Sequence, residues 1–397
     1  MMKLEDVCVL IADCPHSTAP DEGSGYPLIR TPNIGKGRLI LEGVHRVSEN
    51  VYHLRNKRAV PQDDDLIFAR EATAGNVAII KNGEKVCLGQ RTVLLRPNKE
   101  MVDPDFLVYY LLAPEQQYGL LGTANGATVA HVNIPTIRNL KISLPPLTAQ
   151  RKIAAIIKSY DDLIENNQNQ IKLLEEAAQR LYKEWFVDLR FPGHENTPIV
   201  DGVPEGWSSC KLSDVISFKP KVKLTKERMK QFVPMQALST NSMVLDTSQF
   251  TATASNSGSK FQNGDTLLAR ITPCLENGKT AFVTGIESDE GAVGSTEFIV
   301  MRSKELNPYM VYLLARTDDF RQAAINSMTG SDGRQRAQVD KLEVLPYLKP
   351  TQNVIDSFAH ITEPMFKQID VKRRQIQHLT EARDLLLPKL MNGEIEV

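Results

Sequence analysis

The sequence lacks several features that would place it in a particular class of protein. Among its 397 residues no run approaches the ~18 consecutive apolar residues of a membrane-spanning helix, and the first residues lack the basic-then-apolar order of a secretory signal. Its five cysteines, in odd number and without a C-x-x-C spacing, argue against a disulfide framework and against a zinc knuckle. These absences predict a cytoplasmic protein.

Catalytic motifs are also missing. Gly278-Lys279-Thr280 resembles the end of a P-loop, but Pro273 stands where that motif needs its first glycine. The sequence has no G-x-G-x-x-G, no H-E-x-x-H and no Asn-Pro-Pro-aromatic run of the kind that holds a target base in amino-methyltransferases. We expect Asp63–Asp65 to form a solvated turn rather than a metal site. The chain alone is therefore predicted to have no active site and no metal.

The charge is balanced overall but unevenly distributed. The formal net charge is −1, which does not suggest a strongly basic nucleic-acid binder. Nevertheless Arg30–Val60 contains seven Lys or Arg against two acidic residues, and Lys211–Phe261 contains eight against three. Two separate basic zones are therefore present.

The sequence repeats itself at an interval of roughly 200 residues, which indicates a duplication. The matching pairs are Lys3–Val7 with Lys211–Val215, Asp65–Arg70 with Asp265–Arg270, Tyr110–Leu112 with Tyr312–Leu314, and Leu140–Gln150 with Leu342–Gln352. About 40 residues of helical pattern follow each copy. The order is therefore globular unit, long helix, globular unit, long helix.

Both helical segments carry apolar residues at alternating steps of three and four, the seam of a coiled coil. The positions predicted to pair the helices or dock a partner are Ile157, Ile164, Asn167, Ile171, Leu174, Leu181 and Trp185 in the first segment, and Phe358, Ile369, Ile376, Leu379 and Leu386 in the second. The polar Asn167 could fix register or merely face solvent. Pro364 is expected to kink or begin the second helix, and Pro388 to end it.

The predicted fold is α+β, with two similar globular domains separated by two long helices that form an antiparallel coiled coil. The predicted boundaries are 1–147 for the first domain, 148–187 for the central helix, 188–207 for a Gly- and Pro-rich linker, 208–349 for the second domain and 350–397 for the distal helix and tail. Pairing of the two helices is favoured over packing of each on its own domain, because one amphipathic helix buries little alone.

Specific motifs in and around the helices resemble a known family. Leu144–Leu147, Gln150 and Glu184–Asp188 look like the central helix of the specificity subunits of type I restriction-modification systems. Gly202–Trp207 is similar to the entry into their second target-recognition domain, and Leu386–Ile395 to the end of their distal helix. The layout matches over the whole chain, whereas the specific motifs cover about a quarter of it.

The resemblance implies a subunit without an active site. It would bind an asymmetric bipartite site in double-stranded DNA and dock two modification subunits through its helices. Those partners would use S-adenosylmethionine to methylate adenine, and restriction subunits using ATP and magnesium could join them. No cofactor is expected in this chain.

Charge and expected loop placement select candidate DNA contacts, because Lys and Arg bind phosphates while Arg and Gln also bind base edges. They are His16, Ser17, Thr18, Arg55, Lys57, Arg58 and Arg70 in the first domain, and Lys219, Lys221, Lys223, Lys279, Arg334, Gln335 and Arg336 in the second. Each could instead be a solvated surface charge.

Two other classes of function are weighed against DNA recognition. A protein-binding coiled-coil scaffold would share the layout but would not need basic zones, and salt-dependent retention on DNA separates it. A self-contained methyltransferase or nuclease would need the motifs that are missing.

Overall fold

The structure, a computed structural model, describes residues 2–122, 131–331 and 333–397. The chain divides into two compact units. Unit 1 comprises Met1–Ile164 and His378–Val397, and unit 2 comprises Glu165–Gln377. Each of the two long helices therefore contributes residues to both units.

The first part of the chain forms short strands and helices that lead into a long helix. The strands are β1 (Met2–Lys3), β2 (Cys8–Asp13), β3 (Tyr26–Ile29), β4 (Gly37–Arg38), β5 (Arg46–Val47), β6 (Leu66–Ala69), β7 (Val77–Ile79), β8 (Cys87–Leu88), β9 (Thr92–Pro97) and β10 (Lys141–Ile142). The helices are α1 (Glu49–Arg55), α2 (Pro104–Leu112), α3 (Pro114–Leu121), α4 (Ile134–Arg138) and α5 (Leu147–Tyr182), which continues as a π-helical turn at Lys183–Val187.

Unit 1 is organised around a sheet with the strand order β2-β9-β6-β7-β4. The central strand β6 pairs antiparallel with β7 and β9, and all four of its residues are buried. Such an apolar run fits a strand that is covered on both faces. A smaller sheet has the order β5-β3-β8, in which β3 and β8 are parallel.

The second part of the chain repeats this succession of elements. Its strands are β11 (Ile199–Val200), β12 (Val203–Pro204), β13 (Ser208–Lys211), β14 (Ile216–Phe218), β15 (Lys230–Val233), β16 (Thr251–Thr253), β17 (Ser259–Phe261), β18 (Thr266–Ala269), β19 (Thr280–Phe282), β20 (Ala292–Gly294), β21 (Phe298–Ser303) and β22 (Pro346–Lys349). Its helices are α6 (Leu212–Val215), α7 (Pro308–Ala315), α8 (Asp318–Asn326), α9 (Val339–Glu343) and α10 (Gln352–Met391).

Four strands of the main sheet follow the same order in unit 2 as in unit 1, and unit 1 adds β4 at the edge. This agreement confirms the predicted α+β fold with two similar units. Its main sheet runs β14-β21-β18-β19, and its second sheet contains β16-β15-β20, again with one parallel pair. The main sheet also carries an equivalent ion pair in each unit. Arg96 donates through Nε and Nη2 to Asp65 at 2.8 and 2.7 Å, and Arg302 does the same to Asp265 at 2.6 and 2.7 Å.

The ion pair in unit 1 corrects one expectation about the acidic run at 63–65. Asp65 is buried rather than solvated, with 2% of its surface exposed. A buried carboxylate needs a partner, and Arg96 supplies it from a strand 31 residues away in the sequence. Asp63 and Asp64 accept hydrogen bonds from the backbone amide of Gly83 and from Lys81, so they hold a turn.

The long helices run antiparallel, as the contacts inside each unit show. In unit 1, Arg383 of α10 donates to Asp161 of α5 at 2.7 Å. Further toward the end of α10, Leu390 belongs to the same buried cluster as Ile153 and Ile157, which come earlier in α5. In unit 2 the ring of Phe358 packs edge-on against Trp185, with centroids 5.5 Å apart.

The helices have about the length that the sequence pattern predicts, with 36 residues in α5 and 40 in α10. α5 begins at Leu147, and α10 runs without interruption through Pro364 and Pro388 to Met391. Proline at 364 removes one backbone hydrogen bond, but both Pro364 and His360, whose carbonyl loses that donor, are exposed to water. The expectations that Pro364 begins the helix and that Pro388 ends it were therefore wrong.

The predicted seam is largely buried. Ile157, Ile164, Ile171, Trp185, Phe358 and Ile369 are buried, and so is Asn167, which is 7% exposed. In the part of the chain that the structure describes, no helix is long and apolar enough to cross a membrane.

Candidate nucleic-acid interface

Most of the predicted DNA contacts of unit 1 gather around the loop that follows β2, but they are not equally available. Arg55, in the last turn of α1, is buried, with 5% of its surface exposed. Its guanidinium donates to the carbonyls of Leu88, Ser17 and Pro15 at 2.7, 3.0 and 3.4 Å, and burial lowers its pKa. Arg55 therefore shapes the loop from inside, and this position does not fit the predicted DNA contact.

Arg70 is similarly enclosed. Its side chain is only 11% exposed, and Nη1 lies 3.2 Å from an Asp13 carboxylate oxygen. Nε donates to the carbonyl of Val132 at 3.0 Å, and Nη2 lies 3.1 Å from Nε2 of His131. Arg70 thus connects three chain segments, which is a structural role rather than the surface role expected for it.

The remaining predicted residues of unit 1 are on the surface. His16, Ser17, Thr18, Lys57 and Arg58 are all exposed. Arg58 approaches the carbonyls of Asp13 and Cys14 at 3.4 and 3.3 Å, and the imidazole of His16 lies 3.0 Å from the carboxylate of Asp13. The loop therefore brings His16 and Arg58 together on one exposed edge.

Unit 2 presents its lysines on the segment after β14. Lys219, Lys221 and Lys223 are exposed. Lys219 has φ 57°, so the backbone turns sharply there. Lys279 differs, because its ammonium group donates to the carbonyl of Met235 at 3.0 Å and is half-buried.

The three predicted residues at 334–336 occupy different environments. Arg334 is exposed and Gln335 is half-buried. Arg336 makes a two-point ion pair with Glu297, at 2.9 Å from Nε and 2.7 Å from Nη2. This hydrogen bonding lowers the pKa of the Glu297 carboxyl, so the pair is ionised at neutral pH.

Comparisons with known proteins place this geometry in context. Residues 1–176 match the family model described as the type I restriction modification DNA specificity domain. Over the whole chain, the sequence is 26% identical to the type I restriction enzyme MjaIX specificity subunit of Methanocaldococcus jannaschii, of which 93% is covered. The sequence similarity is thus to type I restriction-modification specificity subunits, and with MjaIX it extends over the whole chain. Its curated relatives are named specificity subunits, which agrees with the non-catalytic role predicted from the sequence.

Other proteins that match this chain do so over part of its length or at lower identity. The HindI specificity subunit of Haemophilus influenzae is 21% identical, with 85% of this chain and 88% of that protein covered. The EcoEI specificity subunit of Escherichia coli is 32% identical over 36% of this chain and 25% of its own length. A crystal structure of the type I specificity subunit of M. genitalium aligns with a TM-score of 0.56 at 16% identity, covering 98% of this chain and 95% of that one. That similarity supports the fold.

The structure places several polar residues that the sequence did not single out beside the predicted Arg70 and Arg336. Arg91, Glu71 and His131 form a chain of ionic contacts in unit 1, and Glu297 holds Arg336 in unit 2. The two residues of each contact lie 20 to 60 positions apart in the sequence, so no local pattern reveals them. One sequence signal pointed to these contacts, namely the match of Arg70 with Arg270 in the repeat, because both arginines hold the backbone next to them. No metal-binding cluster of His, Cys, Asp or Glu occurs among the residues that the structure describes.

Proposed function

We propose that this protein is a type I restriction-modification specificity subunit that binds an asymmetric, bipartite DNA sequence, with one half-site read by each repeated unit. The observation that carries the proposal is the duplication itself, because the order of four main-sheet strands is built twice. Each copy carries exposed basic side chains, which are Lys57 and Arg58 after α1 in unit 1 and Lys219, Lys221 and Lys223 after β14 in unit 2. The two sets of side chains differ, which supports two different half-sites.

Exposed cations supply the affinity expected of such a surface. Four cations are exposed and can approach phosphates, which dominate affinity for duplex DNA. They are Lys57 and Arg58 in unit 1, and Lys221 and Lys223 in unit 2. Base choice requires hydrogen bonds to base edges, for which Arg334 is well suited because guanidinium groups bind guanine bidentately. The net charge of −1 is compatible with this role because the basic residues are segregated.

The long helices are proposed to dock two modification subunits, which would supply S-adenosylmethionine and methylate adenine. Restriction subunits that use ATP and magnesium would join the same assembly in the cytoplasm. The observation that supports docking is the exposed apolar surface on the helices. Leu163 and Leu173 on α5, and Val371 and Leu385 on α10, expose between 41 and 68% of their surface. Apolar side chains exposed along a helix favour protein contacts.

Mapping methylated adenines in the source genome tests the proposal, because it gives both half-sites and their spacing. Duplexes with either half-site scrambled should then bind the complete complex much more weakly than the intact site. Undiminished binding after one half is scrambled would contradict a bipartite target. Retention on DNA that does not depend on salt, or no retention at all, would favour a protein-binding scaffold.

A pair of substitutions tests the basic segment of unit 2. Replacing Lys221 and Lys223 by Gln should reduce the slope of log K against log salt by about 2, since each phosphate contact contributes about 0.9. Lys152→Gln, at an exposed position on α5, is the matched control and should leave the slope unchanged. An unchanged slope in the double variant would remove these lysines from the interface.

A further inference from the structure

The segment around Arg334 is closed at its base by a short backbone ladder. The amide of Thr329 donates to the carbonyl of Arg336 at 3.1 Å, and the amide of Arg336 donates back at 2.9 Å. The side-chain amide of Gln338 donates to the hydroxyl of Thr329 and to the carbonyl of Arg336 at 2.7 and 2.8 Å. Thr329 and Arg336 are therefore fixed to each other, and Arg334 lies just inside this closure.

The Glu297–Arg336 ion pair fixes the closure to the sheet. Glu297 precedes β21, and its carbonyl accepts a hydrogen bond from the amide of Arg270 at 2.9 Å. The carbonyl of Arg270 accepts from the amide of Ala337 at 2.8 Å. The backbone of Arg270 therefore holds Glu297 directly and holds Ala337, the neighbour of Arg336. A two-point guanidinium–carboxylate contact between fixed chains restricts direction as well as distance.

Unit 1 has the same linkage with different residues. The amide of Arg70 donates to the carbonyl of Arg91 at 2.9 Å, and the amide of Val132 donates to the carbonyl of Arg70 at 2.9 Å. Arg91 and His131 therefore correspond to Glu297 and Arg336. Here Arg91 contacts one carboxylate oxygen of Glu71 at 2.6 Å, and His131 contacts the other at 2.6 Å.

The order of charges is inverted between the two units. In unit 2 the residue before the strand is acidic and the loop residue is basic, whereas in unit 1 the residue before the strand is basic and an additional acid joins it to the loop. What the two arrangements share is a polar contact that joins the residue before a sheet strand, Arg91 or Glu297, to the residue at 131 or 336. The sign of each side chain is not shared.

We propose that Glu297 and Arg336 are positioning residues that aim Arg334 at DNA. This inference rests on the proposed function. Arg336 does not itself read a base, because its Nε and Nη2 edge is occupied by the carboxylate. It adds no net charge to the interface, because Glu297 neutralises it. Arg334 makes the contact that the sequence assigned to both arginines.

Binding of the complete complex to the cognate duplex and to a scrambled duplex, each over a range of salt, separates positioning from contact. Arg334→Gln should reduce the salt slope by about 1 and lower discrimination. Glu297→Gln should weaken cognate binding by about 10-fold or more, while binding to the scrambled duplex and the salt slope are not reduced. Glu287→Gln, an exposed acid of the same unit, is the matched control and should change neither.

A charge swap gives the decisive arm. Glu297→Arg should lose discrimination, and adding Arg336→Glu should restore it to within a few-fold, because the ion pair is re-formed with its charges exchanged. Failure of the swap to improve on the single variant would overturn the proposal. Equal losses on cognate and scrambled duplexes with a reduced slope, in Glu297→Gln, would overturn it as well.

Hydrogen exchange on the free protein distinguishes this inference from the proposed function. Glu297→Gln should speed exchange of the amides of Thr329, Arg334 and Arg336, whether or not DNA is present. Exchange unchanged at all three amides would refute the positioning role. If the wild-type complex shows no preference for the mapped site, the proposed function fails, and the exchange result still decides whether the ion pair holds the loop.

Discussion

Asp161 is the residue of unit 1 whose loss should be felt most. It is 6% exposed and accepts hydrogen bonds from the hydroxyl of Tyr109 at 2.8 Å and from Arg383 at 2.7 Å. It therefore connects α2, α5 and α10. Asp161→Ala leaves the guanidinium of Arg383, which is 21% exposed, without its buried partner, and leaves a phenol hydroxyl without an acceptor. Breaking a buried pair on one side costs about 3–5 kcal/mol.

The free energy of unfolding of unit 1 should fall by that amount. Hydrogen exchange of backbone amides in residues 147–164 and 378–391, read by mass spectrometry on the full chain, measures it directly. Tryptophan fluorescence serves as an internal comparison, because both tryptophans of the sequence, Trp185 and Trp207, belong to unit 2. Their unfolding transition should move less than exchange in unit 1.

The neighbouring carboxylate supplies the control. Asp162 is 53% exposed and pairs with Lys158 one helical turn away, so Asp162→Ala should cost less than about 1 kcal/mol. Replacing Asp161 by Leu and Arg383 by Met together should recover most of the loss, because no buried charge remains. Equal exchange rates for Asp161→Ala and Asp162→Ala would refute the reasoning.

Three further outcomes are expected. Burial raises the pKa of Glu175 to about 7, although hydrogen bonds from Ser242 and Met243 oppose the shift. Because the folded state holds this proton more tightly, unit 2 should lose up to about 3 kcal/mol of stability as pH rises from about 4.5 to 8. A falling urea midpoint would measure the loss. Glu175→Gln should flatten that dependence and Glu176→Gln, which is exposed, should not. Ile171→Asp buries a charge between the long helices, so it should loosen their pairing and reduce co-purification of the proposed methyltransferase subunits. Leu173→Asp, at a 63% exposed position, should leave the helix pairing intact, as judged by helical circular dichroism. Phe366→Ala removes a ring packed against three others and should cost about 3–5 kcal/mol in thermal unfolding.

The duplication and the two helices could be predicted because they leave periodic signals in the chain. The match of Asp65–Arg70 with Asp265–Arg270 survives since a buried strand and a buried carboxylate each tolerate few alternatives. The helical seam survives because apolar residues must recur on one face. These signals are local or strictly repeated, so they can be read without knowing which strands pair.

The availability of individual cations could not be predicted in the same way. Arg55 and Arg58 stand three residues apart in one basic zone, yet one is buried under carbonyl groups and the other is exposed. Arg334 and Arg336 are separated by a single residue, and only Arg336 meets a carboxylate. What decides each case is a partner about 30 to 40 residues away, and composition does not carry that information.

The last helix has a consequence for how the protein is made. Residues 378–391 pack into the core of unit 1, where Leu390 is 3% exposed beside Ile153 and Ile157. A ribosome adding about 5–20 residues per second releases them more than ten seconds after the first strands have emerged. During that interval the apolar residues of unit 1 that contact the end of α10, such as Ile153 and Ile157, are uncovered. Most of unit 2 is synthesised before the end of α10 covers them.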